Sequence, residues 1–224
     1  MHFKSLIAAG ALGLAALSLP QAVVAEEVFD APVATRQANE TGLQTAIFAG
    51  GCFWGIEAIF SHTRGVTSAV SGYHGGTAAT ATYRQVSSGN TGHAEAVRVT
   101  YDPSVVRYDQ LLQILFSVGA DPTLLNEQGP DHGPQYRSAI VPMSAEQRAV
   151  AQAYVRQMGR SGVWDRPIAV AIEDYRAFYE AEEAHQDFLL RNPTSAYIRR
   201  WDQPKVEALE ANFPSLWRAR YRTG

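Results

Sequence analysis

One cysteine, Cys52, stands among 224 residues. No internal disulfide is available to this chain, so its fold must rest on a packed apolar core alone. Hydrophobic residues make up 46% of the sequence, enough for such a core in one domain plus extras. The cysteine lies in Gly51-Cys52-Phe53-Trp54-Gly55. Residues 45–49 before it read as a short apolar strand, and residues 56–60 after it read as the first turns of a helix. A thiol at such a turn faces unpaired backbone N–H groups and the positive end of the helix, and both favour the nucleophilic thiolate. A small hydrophobe in the core is the other use of a lone cysteine. The flanking glycines, which let a ligand approach the backbone closely, favour a nucleophile.

Export sharpens that reading. Met1-His2-Phe3-Lys4 precedes an apolar run of 14 residues from 6 to 19, which Pro20 ends. The run is short for a membrane span, which needs about 20 residues, and Val23-Val24-Ala25 supplies small residues for cleavage. Residues 1–25 therefore read as a signal peptide, 26–44 as a linker and 45–224 as the catalytic domain. The expected location is outside the cytoplasm, in a bacterial periplasm, with no stable membrane span after processing. A formal net charge of −3 argues against a nucleic-acid partner. There is no internal repeat or low-complexity tract.

Five strands are expected, at 45–49, 66–73, 94–101, 138–141 and 168–172, with helices at 53–62, 108–118 and 145–158. Residues 94–100 alternate small or apolar with polar side chains, the period of a half-buried strand. Leu111, Leu112, Leu115, Phe116 and Val118 form an apolar stripe, and Ser144 with Gln147 reads as a capping box. This βαββαβ order implies an α+β fold, a ferredoxin-like split βαβ with a two-layer mixed sheet and helices on one face. Helix formers near 180–190 give way to a long irregular C-terminal segment. Five of the six histidines, His62, His74, His93, His132 and His185, lack metal-ligand spacing, and 72–76 lacks the lysine of a phosphate loop. No metal or nucleotide cofactor is expected.

The pentapeptide around Cys52 resembles the signature of the type A peptide methionine sulfoxide reductases (MsrA). So do Tyr73-His74-Gly75-Gly76, Tyr83, Thr91-Gly92-His93-Ala94-Glu95-Ala96-Val97, Tyr101-Asp102-Pro103, Asp121-Pro122-Thr123, residues 126–138, His185-Gln186 and Asn192-Pro193. The resemblance runs from about 45 to 209 and implies thiol-dependent reduction of the S epimer of methionine sulfoxide. Oxidised proteins, peptides and free methionine sulfoxide would be substrates. Cys52 would attack sulfur and be left as a sulfenic acid. Glu95 matches the family's proton donor, which requires a carboxyl kept protonated in an apolar site. Tyr83 and Tyr136 match tyrosines that bind the sulfoxide oxygen. Phe53 and Trp54 match aromatics of the methyl pocket, and Asp131 matches a residue that holds the substrate backbone.

Ala120 and Ala184 depart from the family pattern, which usually has histidine and tyrosine there. Many members also carry resolving cysteines near the C-terminus, and residues 201–224 contain none. The chain resembles the single-cysteine subtype, whose sulfenic acid is reduced by an external thiol such as a thioredoxin-like protein or a small thiol. Two alternatives stay open: a one-cysteine thiol peroxidase, and a non-catalytic methionine-binding or redox-sensing module. A peroxidase should place an arginine beside the thiolate, and none lies closer in sequence than Arg64.

Overall fold

The computed structural model describes residues 28–223. The expected signal peptide lies outside the described residues.

The central strand is β1 (Gln44–Ala49), and it leads through a three-residue turn into α1 (Phe53–Ser61). β2 (Val66–His74), the short α2 (Tyr83–Val86) and β3 (Ala94–Tyr101) follow. Next come α3 (Tyr108–Ile114), the small hairpin β4 (Glu127–Gln128) and β5 (Asp131–His132), then β6 (Ala139–Val141) and α4 (Ala145–Met158). β7 (Ala171–Ile172), β8 (Phe178–Glu180), α5 (Phe188–Arg191) and α6 (Gln203–Asn212) complete the described chain. The main sheet runs β7-β6-β1-β3-β2-β8. Its pairs are antiparallel except β6 with β7. The molecule is thus a mixed α+β fold on a mostly antiparallel sheet.

Apolar periodicity explains most of this. Phe53, Ile56, Ile59 and Phe60 of α1 are buried with Phe48 of β1 and Val97 and Val99 of β3. Phe48 stacks on Phe60 at 5.0 Å and on Tyr108 at 6.0 Å. The stripe at 111–118 is buried, as its spacing predicts, but regular helix stops at Ile114. Leu115–Gly119 is a wider π-type turn closed by Ala120 N–H on Leu115 O at 3.0 Å. Ser144 caps α4 by accepting from Gln147 N–H at 3.1 Å. The returning bond of the expected box goes one residue further back, from Met143 N–H to the Gln147 side chain at 2.8 Å.

Several expectations are corrected. Strand 94–101 is not half-buried throughout: it lies inside the sheet, and its first four residues are buried whichever way they point. Only Ala171 and Ile172 of the strand expected at 168–172 pair, since Ala169 N–H is spent on Pro122 O. Residues near 180–190 are not one helix. Phe178–Glu180 joins the sheet edge, and only Phe188–Arg191 is α-helical. The C-terminal segment is not irregular throughout, because Pro204 near its start opens α6. Residues 28–43 contain no helix or strand, yet they are packed down. Ala31 and Ala38 are buried, Ala38 N–H reaches Asp109, and Tyr154 O–H reaches Pro32 O.

Candidate active site

Sheet register brings Cys52 and Glu95 together. Phe48 of β1 faces Val97 of β3, so Glu95 lies beside the chain as it leaves β1 for the turn. Gly51 makes that turn at φ +85°, and a Cβ there would stand 2.5 Å from Cβ of Gln128. A side chain is excluded on both grounds. Gln128 is itself fixed by Asp121 and Ser138, which ties the 126–138 block to the turn. Cys52 occupies the cap position of α1, and Phe53 N–H donates to Glu95 Oε2 at 3.1 Å.

Cys52 is 8% exposed and Glu95 1% exposed. Burial, followed by the nearby Asp131 and Asp202, pushes the Glu95 carboxyl up to about 8, against the pull of the Phe53 N–H. Its other oxygen, Oε1, is buried without a hydrogen-bond partner among the described residues. The expected thiolate is corrected by the same surroundings. Burial first, then Asp202 and Glu95, push the Cys52 thiol well up, and the Trp54 N–H opposes them only in part. One helix terminus is outweighed by desolvation and carboxylates.

The tyrosines converge on this pair. Tyr83 stands at the start of α2, with its N–H on Glu182 at 2.9 Å and its ring on His185 at 4.0 Å. Tyr136 ends the turn after β5. Burial raises Tyr83 to about 12 and Tyr136 further, with Glu95 adding to both. Both phenols stay neutral and able to donate. Phe53 is fully buried, 6.4 Å from Trp54 and 6.3 Å from Tyr83. Trp54 is partly buried and stacks on Phe188 at 3.8 Å. Asp131 of β5 is half-buried and accepts from the Tyr197 hydroxyl. All seven residues expected at the site therefore share one neighbourhood.

Four further residues stand in this neighbourhood, of which the sequence blocks name only His185, without a role. Tyr197 packs edge-on against Trp54 at 5.7 Å, and His185 and Phe188 lie face to face with it. Asp202 lies beneath α1, where a Cβ on Gly55 would come within 2.4 Å of its Oδ1. Besides His185 in its family block, Asp202 had a usable signal, an acid just before Gln203-Pro204 at a helix start. No group of three or more His, Cys, Asp or Glu among the described residues is arranged to hold a metal ion.

The peptide methionine sulfoxide reductase family model matches residues 44–216. The chain belongs to that family. MsrA 2 of Mesorhizobium japonicum is 52% identical over 176 residues, covering 79% of this chain and 90% of that protein. MsrA 2 of Synechocystis is 48% identical over 198 residues, covering 88% and 91%. Among solved structures, reduced Mxr1 of Saccharomyces cerevisiae is 32% identical with a TM-score of 0.63, covering 72% of this chain and 92% of that one. Methionine sulfoxide reductase A of Corynebacterium diphtheriae is 30% identical with a TM-score of 0.58, covering 79% and 92%. MsrA membership makes the chain an oxidoreductase that reduces methionine sulfoxide with thiols.

Proposed function

We propose that Cys52 is the nucleophile and Glu95 the proton donor in reduction of the S epimer of methionine sulfoxide in proteins, peptides and the free amino acid. The observation that carries this reading is the Phe53 N–H to Glu95 bond, which sets a buried, protonated carboxyl beside the only thiol. Sulfoxide sulfur is a weak electrophile until its oxygen is protonated or strongly hydrogen-bonded. Glu95, Tyr83 and Tyr136 donate to that oxygen. The Cys52 sulfur attacks sulfur, the sulfoxide oxygen passes to Cys52 as sulfenic acid, and methionine leaves. The proton lost by the thiol replaces the one Glu95 gave. Phe53 and Trp54 enclose the methyl group, and Asp131, oriented by Tyr197, holds the substrate backbone.

With no second cysteine, recycling uses two equivalents of external thiol and no cofactor. The first attacks the sulfenic acid, expelling water and leaving a mixed disulfide, and the second releases Cys52. A thioredoxin-like domain or a small thiol outside the cytosol supplies them, in keeping with an exported, periplasmic protein. The peroxidase reading is disfavoured because the side chains that weigh most on the Cys52 thiol are the acids Asp202, Glu95 and Asp131. As a fold description we favour the ferredoxin-like split βαβ, supported by the antiparallel order β6-β1-β3-β2 within the sheet.

Cys52→Ser tests the assignment. Sulfoxide reduction should vanish while the circular dichroism spectrum and melting temperature are kept, because a serine hydroxyl is far less ionised and less nucleophilic. Activity above a few per cent of wild type would remove Cys52 from the reaction.

A further inference from the structure

Glu57 is charged by type, fully buried, and has no part in the chemistry above. It lies on α1 five residues after Cys52. Its Oε2 accepts the N–H of Asp187 at 2.9 Å. Asp187 holds a left-handed backbone, φ +52° and ψ 33°, which costs a non-glycine residue free energy unless its surroundings fix it. On either side of Asp187 stand the two rings that close the site. His185 lies on Tyr83 at 4.0 Å, and Phe188 lies on Trp54 at 3.8 Å with an interplanar angle of 10°.

The rest of this segment is anchored to different partners. Glu182 takes the Tyr83 N–H and the Tyr73 hydroxyl, and Gln186 bonds to both backbone groups of Ser71 on β2. The Asp187 N–H instead bonds to α1, the helix that presents Cys52, Phe53 and Trp54. A carboxyl with no ion pair among the described residues is expensive to bury in that position, even with Ser71 beside it. Burial and the neighbouring Asp187 push it up to about 8, so it is neutral at pH 7 and still able to accept.

We propose that Glu57 is a positioning residue for substrate recognition: by accepting the Asp187 N–H it locks the 185–188 turn against α1 and so holds His185 and Phe188 as the outer wall behind Tyr83 and Trp54. The inference rests on the reductase reading for its kinetic consequence, and on geometry alone for the lock itself. Without the bond, the left-handed turn relaxes and Phe188 leaves Trp54. The methyl pocket then loses shape before the thiol and the acid lose position. The effect should appear in sulfoxide binding rather than in the attack of thiol on the sulfenic acid.

Three variants separate the outcomes. Glu57→Gln keeps an acceptor oxygen at the same reach, Glu57→Asp shortens it by one methylene, and Glu57→Leu fills the space without an acceptor. Glu57→Gln should leave KM for methionine sulfoxide within about twofold of wild type. Glu57→Leu should raise it about tenfold, the scale of one lost buried hydrogen bond, with kcat and the rate of sulfenic acid reduction changed far less. If Glu57→Leu does not fold, Glu57→Asp carries the same expectation. Amide exchange at Asp187 reads the lock without any turnover. It should be slow in wild type and Glu57→Gln, and faster in whichever of the other two folds. An unchanged KM and an unchanged Asp187 exchange rate in that variant would overturn the proposal, as would an equal loss in Glu57→Gln. If wild type itself fails to reduce the sulfoxide, the reductase reading falls, and Asp187 exchange still decides the lock.

Discussion

Burial acts on Cys52 and Glu95 in the same direction and holds both in their neutral forms at pH 7. A neutral carboxyl is what a proton donor to sulfoxide needs, and a neutral thiol is protected from casual oxidation until substrate arrives. Glu95→Gln should slow formation of the sulfenic acid by about 10²-fold or more, the usual scale for losing a general acid, while its reduction by thiol suffers less. Single-turnover measurement of the two half-reactions checks this, and equal loss in both would make Glu95 structural. The pH dependence has a definite sign. Glu95 is protonated below about 8, so the wild-type rate of sulfoxide reduction should fall as pH rises through that value. The Glu95→Gln profile should lack that limb. Phe53→Ala should cost about fourfold in kcat/KM from one methyl contact of ~0.8 kcal/mol.

Glu95 was legible through the Thr91–Val97 family block, since the alternation of its strand pointed only to half-burial. Tyr197 and Phe188 carry no comparable mark, and His185 has its family block but no assigned role. They come from a segment of short turns with neither a helical nor a strand period, and tertiary packing alone brings them to Trp54. The direction of the thiol shift was misjudged for a similar reason. The helix start is local in sequence, whereas the burial of the thiol, the largest cause, and the acids Asp202, Glu95 and Asp131 come from distant parts of the chain.

Elements with a cap and a period were read closely, and those ended by distant contacts were not. Helix α4 begins and ends where Ser144 and its apolar spacing place it. Ser144→Ala should cost about 1 kcal/mol in chemical denaturation and leave kcat/KM unchanged, since α4 lies away from the site. Helix α3 stops short of its stripe because the chain widens at 115–119, where Gly119 O accepts from Lys205 Nζ at 2.9 Å. That contact spans 86 residues and has no local signature. Helix α6 was missed, although it supports α1 from below. Gly55→Ala would force its Cβ to within 2.4 Å of Asp202 Oδ1, so either α1 or the start of α6 must move. This single methyl should lower both melting temperature and kcat/KM, in contrast to the stability-only effect at Ser144.

At the scale of the whole molecule, the chain keeps its fold without disulfides and carries two buried carboxyls, Glu57 and Glu95, raised to about 8. Their unfolded values stand near 4.5. The folded state therefore binds more protons than the unfolded state between those limits, and their contribution to stability is lost as pH rises from about 4.5 through about 8. Replacing both by glutamine should shrink the fall in melting temperature between pH 5 and pH 8.5 by about 3 °C or more. A variant whose fall matches wild type would show that neither carboxyl is held protonated. The first strands and helices along the chain were legible from hydrophobic period, and the grouping of site residues from the family blocks. What neither conveyed was how residues 28–43 and 178–212 wrap and lock that core. The decisive step proposed for this chain is the transfer of oxygen from the sulfoxide itself to its one thiol. Intact-mass measurement with peptide mapping, on reduced chain exposed to methionine sulfoxide without added thiol, tests it most directly. One added oxygen is expected, confined to the peptide containing Cys52, with one methionine formed per chain and turnover resuming only when thiol is supplied. Oxygen added by peroxide but not by sulfoxide, or many turnovers with no thiol present, would contradict it.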